Sequence, residues 1–181
     1  MRFTETDLPG AYLVELEPHH DERGFFARTF DAAEFERRGL EGAVAQASMS
    51  YNDRRGTLRG MHYAAPGGET KLVRCVRGAV YDVIVDIRPG SATRCRHVGL
   101  ELSAENRHAL YVPEGFAHGF QSLEDATEVL YQIGQYFEPA NQRGLPFDDP
   151  AFGIEWPLPV TAISHKDRAW PSYGDGAGAL G

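Results

Sequence analysis

The 181-residue chain is long enough for one domain with a sizeable core and too short for two ordinary ones. Its 20 glycines and 11 prolines are spread along the sequence and imply many turns, which favours an all-β fold. The formal net charge of −8 argues against nucleic acid or an anionic membrane surface as the general partner. We therefore expect any anionic ligand to be bound by a local cluster of basic residues.

Short runs of alternating apolar and polar residues recur along the chain. They are rich in Val, Tyr, Phe and Thr and are separated by Gly, Pro, Asn and Asp, which is typical of strands and turns. Their regular spacing predicts a sandwich or barrel. We expect strands at residues 11–17, 24–30, 43–50, 57–63, 70–76, 79–87, 97–103, 109–113 and 127–137.

One segment has helical rather than alternating spacing. In residues 30–39, Asp31 is placed to cap a short helix and Glu34 to reach back to the cap. The glycine-rich tail, residues 174–181, has too little apolar surface to offset the entropy of ordering it, so we expect it to be flexible. The sequence thus predicts a single all-β domain over residues 1–173, with one or a few short helices.

The cysteines and the lack of long apolar segments indicate where in the cell the protein is located. Neither Cys75 nor Cys95 lies in a metal-binding spacing, and Cys75 falls in an apolar run typical of a buried free thiol. The first residues lack the apolar core of a signal peptide, and no stretch approaches the ~20 apolar residues of a membrane-spanning helix. We expect a cytoplasmic protein that does not bind membranes.

Basic residues cluster around one histidine, His62, although the chain as a whole is acidic. A phosphate or carboxylate ligand would suit such a cluster, because Arg binds these groups through two hydrogen bonds and Lys acts as a point charge. The alternative is a solvated strand face, which we prefer for Arg74 and Arg77, whereas we assign Arg59 and Lys71 to ligand contact. The six basic residues are Arg54, Arg55, Arg59, Lys71, Arg74 and Arg77.

The spacing of Arg59 and His62 conflicts with simple strand geometry. Residues three apart in an ideal strand point to opposite faces of the sheet, so the two side chains would not meet the same ligand. Gly60 lies between them, and a glycine inside a strand often marks a β-bulge that re-aims a neighbour. We therefore expect a bulge at Gly60 if both side chains serve one site.

His62 has a metal-bound and a metal-free interpretation. The stretch "GTLRGMHYAAPGGE" resembles the first motif of cupin barrels, and "PEGFAH" resembles the second. Ala64 stands where the second histidine of that first motif would be, so His62, Glu69 and His118 are the most that a metal could collect. Without a metal, His62 is free to act as a base, and we favour this second interpretation.

Motifs along nearly the whole chain resemble the dTDP-4-dehydrorhamnose 3,5-epimerase family of the cupin superfamily. They occur in the family's order and spacing, which makes the resemblance far more specific than one short motif. It implies a β-jelly roll, a homodimer, no metal or other cofactor, and a nucleotide-linked 4-keto-6-deoxy sugar as substrate. The motifs include "RGFF" (23–26), "LRGMHY" (58–63), "VRGAVYDVIVDIR" (76–88), "VPEGFAHGF" (112–120), "VLYQ" (129–132) and "SHKD" (164–167).

The resemblance also implies roles for four residues in a proton-transfer reaction. A ketone at C4 of the sugar acidifies the hydrogens on C3 and C5, so one base can remove either of them. By resemblance His62 is the base, Asp167 is its orienting partner, Lys71 stabilises the enolate oxygen, and Tyr131 is the acid that returns the proton. These residue types suit the chemistry, because a carboxylate orients an imidazole and an ammonium stabilises developing negative charge.

Further residues match substrate contacts of the family, and three positions depart from its pattern. The matching residues are Arg23, Gln46, Arg59, His118 and Lys166, of which we expect Arg59 to bind the diphosphate.

At position 28, where the family usually carries a glutamate that helps to bind the base, this chain has Arg28. Ser48 and Ala64 likewise stand where Asn and Gln are common. Arg28 replaces a hydrogen-bond acceptor by a permanent donor. These departures leave open which nucleotide base and which sugar the protein binds.

Three alternatives accompany the leading interpretation of a metal-independent 3,5-epimerase. A close variant inverts only C3 or only C5, as relatives in antibiotic-sugar pathways do. A metal-dependent cupin oxygenase or isomerase would use His62, Glu69 and His118. A catalytically silent binding module is the third, but such a module needs neither an acid nor a base.

Overall fold

A computed structural model describes residues 1–65 and 68–175 of the chain. It consists mainly of strands, with the two short helices α1 (Ala32–Glu36) and α2 (His165–Arg168). The strands are β1 (Arg2–Glu5), β2 (Tyr12–Glu15), β3 (His19–Asp21), β4 (Gly24–Phe26), β5 (Gln46–Asn52), β6 (Leu58–Ala64), β7 (Lys71–Arg77), β8 (Ala79–Asp86), β9 (His97–Ser103), β10 (Ala109–Val112), β11 (Phe116–Ser122), β12 (Thr127–Ile133) and β13 (Gln142–Gly144).

The strands form two large antiparallel sheets and one hairpin. The six-stranded sheet has the order β1-β2-β10-β7-β12-β5, and the five-stranded sheet has the order β13-β6-β11-β8-β9. Apolar side chains from both sheets share one core, for example Val73 of β7, Ile84 of β8 and Phe120 of β11. The small hairpin of β3 and β4 belongs to neither sheet. This is the jelly-roll arrangement expected of an all-β chain, and it confirms the predicted fold class.

Most predicted strands are present, and the main omission is β11. All seven of its residues are buried, so the strand has no polar face and no alternation that would mark it in the sequence. It lies between β6 and β8, in the middle of the five-stranded sheet. The missed strand is therefore one of those that build the interior of the barrel.

The predicted helix is present as α1, and its cap is partly as expected. The Asp31 carboxylate accepts hydrogen bonds from the backbone N–H groups of Ala33 and Glu34 at 3.1 and 3.4 Å. The Glu34 carboxylate does not return to the cap but forms ion pairs with Arg37 and Arg38. Because two arginines are available one turn later, the partly exposed carboxylate binds those cations instead.

One expectation, for a residue on the outer face of the six-stranded sheet, is wrong. Arg74 was expected in solvent, but it is buried and donates hydrogen bonds to the carbonyls of Thr29 and Arg107. Burial lowers the pKa of the Arg74 guanidinium to about 10. The segments that follow β4 and β9 cover this side chain, which the strand sequence alone does not reveal. Arg77, by contrast, is exposed as expected.

The remaining predictions concern the cysteines, the tail and membrane spans. Cys75 and Cys95 are both free, and Cys75 is buried as expected. Of the predicted tail, the first two residues end a 3₁₀ turn at Tyr173–Asp175, and residues 176–181 lie outside the described residues. Within residues 1–65 and 68–175, neither helix has the length or the apolar character needed to cross a membrane.

Candidate active site

A β-bulge in β6 brings Arg59 and His62 to the same side of the sheet. On β11, His118 pairs with His62 and Phe120 pairs with Arg59, so three steps along β6 match two steps along β11. Gly60 within the bulge has a φ of +130°, and a Cβ at this position would lie 2.5 Å from the Cα of Gly119. Only glycine fits there, which confirms the expected bulge.

His62 is paired with the carboxylate that the sequence predicts. The Asp167 Oδ1 lies 2.7 Å from Nε2 of His62, and Asp167 Oδ2 accepts a hydrogen bond from the backbone N–H of Gly60 at 3.4 Å. Burial raises the pKa of Asp167, but the hydrogen bond and charge of His62 outweigh it, and the pKa lies below its usual range. Asp167 therefore stays ionised at neutral pH and fixes the imidazole orientation.

Helix α2 places Asp167 beside β6, because the chain before it is attached to that strand. Leu58 donates its backbone N–H to the carbonyl of Ala162 at 2.8 Å, and Thr57 forms a parallel bridge with Ala162. The Ser164 hydroxyl then caps α2 by accepting a hydrogen bond from the backbone N–H of Asp167 at 3.0 Å. These contacts bring together two residues separated by 105 positions in the chain.

A second histidine–carboxylate pair, His118 and Asp82, lies directly beside the first. Nε2 of His118 is 3.0 and 2.9 Å from the two carboxylate oxygens of Asp82 on β8. The side chains are buried, with 6% of His118 and none of Asp82 exposed. Asp82 was missed because a charged residue within a strand ordinarily faces solvent. Its position inside a long apolar run was the available signal.

One cavity of about 480 Å³ is lined by five of the ten predicted site residues. It opens between the two sheets, since Lys71 and Tyr131 come from the six-stranded sheet and His62 from the five-stranded one. The bulge places Arg59 at its edge. The cavity is lined by Ser48, Ser50, Arg59, His62, Glu69, Lys71, His118, Phe120, Tyr131, Ile133, Phe137 and Gln142.

A second depression of about 390 Å³ shares Arg59 and His62 with the large cavity. These two residues line both depressions, so an extended ligand could occupy both. Lys166 lines the second depression, where its ammonium lies 5.2 Å from the centre of the Trp170 ring. Its other lining residues are Thr57, Leu58, Ala162, Ile163, Ser164 and Asp167.

Lys71 forms an ion pair with Glu69 inside the large cavity. Lys71 Nζ lies 2.5 Å from Glu69 Oε1, and both side chains are nearly buried. Lys71 points inward with Val73 and Cys75, as alternation in β7 requires. The ammonium is thus fixed at the cavity wall by a neighbouring carboxylate.

The three metal ligands proposed from the sequence each have another partner. Glu69 binds Lys71, His62 binds Asp167, and His118 binds Asp82. Among residues 1–65 and 68–175, no group of three or more His, Cys, Asp or Glu side chains is placed to hold a metal ion. The geometry gives no support to the metal-dependent alternative.

Tyr131 lies on the cavity wall opposite β6. Its hydroxyl is 3.2 Å from the Ser50 hydroxyl, and its ring meets the His118 ring edge-on, with centroids 6.3 Å apart. Burial raises the pKa of the Tyr131 phenol far above its usual value. The hydroxyl therefore carries its proton at neutral pH and is able to donate it.

Three predicted substrate contacts line neither of the two depressions. Arg23 is 82% exposed in the β3–β4 hairpin and pairs with Asp21. Arg28 pairs with Asp31 at 3.1 Å. Gln46 Oε1 accepts a hydrogen bond from the backbone N–H of Phe137 at 2.6 Å, so it anchors a segment that lines the cavity.

Comparison with known proteins agrees with this geometry. The family model for dTDP-4-dehydrorhamnose 3,5-epimerase matches residues 5–175. A dTDP-4-dehydrorhamnose 3,5-epimerase from Methanothermobacter thermautotrophicus is 44% identical over 172 residues, covering 93% of this chain and 92% of the relative. The crystal structure of the Elizabethkingia anophelis enzyme of the same name superposes with a TM-score of 0.93 at 36% identity, covering 97% of this chain and 98% of that one.

Similarity extends to ChmJ from Streptomyces bikiniensis, a 3'-monoepimerase solved in complex with dTDP-quinovose. It superposes with a TM-score of 0.86 at 33% identity, covering 93% of this chain and 86% of that one. The fold and these matches define the protein as an isomerase built on a cupin-type jelly roll. The sequence resemblance and the enzyme class are confirmed. The chain belongs to the dTDP-4-dehydrorhamnose 3,5-epimerase family.

Proposed function

We propose that the protein inverts C3, C5 or both in a nucleotide-diphospho-4-keto-6-deoxy sugar, with dTDP-4-dehydro-6-deoxyglucose as the leading candidate. The observation that carries this proposal is the large cavity, where His62 on one sheet, paired with the Asp167 carboxylate of α2, faces a lysine and a protonated tyrosine on the other sheet. Enolate chemistry at a carbon beside a ketone needs these three functions: a base, a cationic stabiliser and an acid.

In this mechanism His62 removes the proton beside the C4 ketone and becomes an imidazolium, which the Asp167 carboxylate stabilises. The electron pair of the broken C–H bond forms the enolate, whose oxygen lies near the Lys71 ammonium. Tyr131 donates its proton to the opposite face of the carbon, and the new C–H bond has inverted configuration. Proton exchange with solvent returns His62 and Tyr131 to their starting states.

Arg59 and Lys166 support a diphosphate-linked substrate. Arg59 lines both depressions and Lys166 lines the second, so a sugar in the large cavity would place its diphosphate near both cations. The dTDP-sugar bound to the similar protein ChmJ favours dTDP as the carrier. The Arg28 departure concerns the base, and it leaves the diphosphate contacts unaffected.

The similarity to ChmJ also supports a second candidate, epimerisation at a single carbon. Both candidates use the same base and the same enolate chemistry. They differ in whether one proton or two are exchanged and returned to the opposite face. Labelling at each carbon therefore separates them directly.

We also propose that the protein is a single-domain homodimer in the cytoplasm. Arg23 and Arg28 line neither depression of their own chain, so a second copy is a ready source of these predicted nucleotide contacts. The two free cysteines suit a reducing compartment. Light scattering at catalytic concentrations tests the dimer, and a monomeric mass in the active protein would exclude it.

The function is tested by incubation with dTDP-4-keto-6-deoxyglucose in D₂O, with deuterium at C3 and C5 followed by NMR. Uptake and inversion at both carbons are expected for a 3,5-epimerase, and at one carbon for the second candidate. A parallel reaction after dialysis against a chelator tests the metal-dependent alternative. No deuterium at either carbon, or activity that disappears with the chelator and returns with a metal, contradicts the proposal.

A further inference from the structure

Arg59 is fixed in place while its charge is left uncompensated. Within residues 1–65 and 68–175, no carboxylate lies within ion-pair distance of its guanidinium. Its hydrogen bonds go instead to uncharged acceptors, the side chain of Asn52 and the backbone carbonyl of Tyr51. The positive charge at the junction of the two depressions is therefore available to a ligand.

Asn52 holds Arg59 through its side-chain amide, whose oxygen and nitrogen both form hydrogen bonds. Its Oδ1 accepts a hydrogen bond from Nε of Arg59 at 2.8 Å, and its Nδ2 donates one to the carbonyl of Thr127 at 3.1 Å. The side chain is 1% exposed. Reversing the amide would place its NH₂ group against the guanidinium and its oxygen against a carbonyl, so the bonding partners define one orientation.

The contact joins the two sheets beside the cavity. Asn52 ends β5 in the six-stranded sheet, and Arg59 lies on β6 in the five-stranded sheet. Nε and one N–H of Nη2 are used by Asn52 and Tyr51. Three of the five guanidinium N–H groups remain, including both on Nη1, and neighbouring N–H groups of this kind bind phosphate through two hydrogen bonds.

We propose that Asn52 is a positioning residue, which aims Arg59 at the diphosphate of the substrate without cancelling the charge of Arg59. An aspartate at this position would also accept from Nε, but it would neutralise the guanidinium. An apolar residue would leave the charge intact but release the side chain, which then has to be ordered when the ligand binds. The proposal rests on the proposed function, because it requires a diphosphate-bearing ligand.

The test measures binding of thymidine diphosphate and of thymidine by calorimetry, which does not depend on turnover. The variants are Asn52→Asp, Asn52→Leu, Arg59→Ala and the double variant of Asn52→Leu with Arg59→Ala. We expect the Kd for thymidine diphosphate to rise about tenfold or more in Asn52→Asp and about fivefold in Asn52→Leu, because a charge-assisted contact is weakened. Thymidine affinity should stay within about twofold in both, since thymidine carries no phosphate.

The double variant distinguishes positioning from a merely structural role. If Asn52 acts through Arg59, Asn52→Leu has no further effect once Arg59 is alanine, because coupled residues are non-additive. An equal loss in both backgrounds, an equal loss for thymidine, or no loss in Arg59→Ala would each overturn the proposal. Asn52→Ala replaces the leucine variant if melting curves show that leucine prevents folding.

Failure of the inference can be told from failure of the proposed function. The deuterium reaction of the unchanged protein reports the epimerase activity, and the calorimetric cycle reports the role of Asn52. Normal deuterium uptake with unchanged diphosphate binding in both Asn52 variants would overturn only the positioning role.

Discussion

The two histidine–carboxylate pairs of the cavity use the same residue types in different surroundings. His62 is 38% exposed and receives Asp167 from a short helix 105 residues away in the chain. His118 is almost fully buried and receives Asp82 from the neighbouring strand, 36 residues away. The two histidines are nevertheless opposite each other in adjacent strands. Proton transfer to a substrate requires an accessible imidazole, which supports our proposal that His62 is the base and favours a supporting role for His118.

The two pairs also differ in how the carboxylate of each is held in place. Asp82 lies on β8 two residues from Ile84, the direct partner of His118, so the sheet itself sets the distance. Asp167 depends on the attachment of the C-terminal segment to β6. The geometry of the His62–Asp167 pair can therefore be altered by changes outside the barrel. The geometry of the His118–Asp82 pair changes only if the sheet changes.

The largest effect is expected when the accessible pair loses its base. In His62→Asn, deuterium uptake at both carbons should fall by about 10² to 10⁴-fold, the usual contribution of a general base. NMR in D₂O provides the measurement. The control is thymidine diphosphate affinity, which should stay within a few-fold because Arg59 is unchanged. Normal uptake in this variant would exclude His62 as the base.

A somewhat smaller and more selective effect is expected in Tyr131→Phe. The ring that contacts His118 is kept, so packing should persist, but the proton donor is lost. Deuterium uptake should continue, while inversion at C5 falls about 10²-fold. Following label and configuration at each carbon measures both steps. Inversion at C5 near the original rate would mean that another group returns the proton.

Asp167→Asn should slow proton removal less than loss of the base itself. An asparagine keeps the shape but not the charge that orients His62, and losing such an orienting partner typically costs about 10 to 100-fold in activity. The rate of deuterium uptake measures this loss. A rate within twofold of the original would mean that Asp167 does not contribute to proton removal. The two histidine–carboxylate pairs would then not differ in function.

The matched change in the buried pair, Asp82→Asn, should act mainly on stability. It leaves a buried histidine without its charged acceptor, which costs about 1–3 kcal/mol of unfolding free energy. We expect a lower urea midpoint and less than a tenfold loss in deuterium uptake. If Asp82→Asn instead reduces uptake as strongly as Asp167→Asn does, then both pairs take part in proton transfer.

The smallest effect concerns acid stability. The pKa of Asp167 is lowered in the folded protein, so its contribution to stability is present above the unfolded pKa of about 3.9 and is lost as the pH falls through the folded value. In Asp167→Asn, this contribution to the pH dependence of stability is absent. The stability difference between the original protein and the variant should therefore shrink below about pH 4 in urea titrations. A constant difference from pH 6 to pH 2 would contradict the assignment.

The sequence predicted the architecture well where residues alternate or form motifs. The runs that became β7 and β8, the capped helix α1 and the bulge at Gly60 follow from local rules of strand and helix formation. The positions of His62, Lys71 and Tyr131 in one cavity followed from the family resemblance.

What could not be predicted depends on contacts between distant segments. Strand β11 is buried on both faces and has no polar pattern. Asp82, Asn52 and Arg74 are polar side chains within strands, yet each is buried by a strand or loop from elsewhere. For Asn52 and Arg74, a single sequence does not contain the information that tells them from solvent-facing residues, whereas for Asp82 the one signal is its position inside a long apolar run.

The attachment of Asp167 has a consequence for protein synthesis. The strands that carry His62, Lys71 and Tyr131 all precede residue 134, whereas the orienting carboxylate is added later, in α2. A chain whose synthesis ended just before α2 would contain every strand of residues 1–65 and 68–175 and the base, but not its partner. Proteolytic removal of α2 alone would leave Leu145 and Phe152 packed against the five-stranded sheet. If Asp167 orients the base as proposed, activity would be lost before the barrel structure, and near-normal circular dichroism would not identify such damaged molecules.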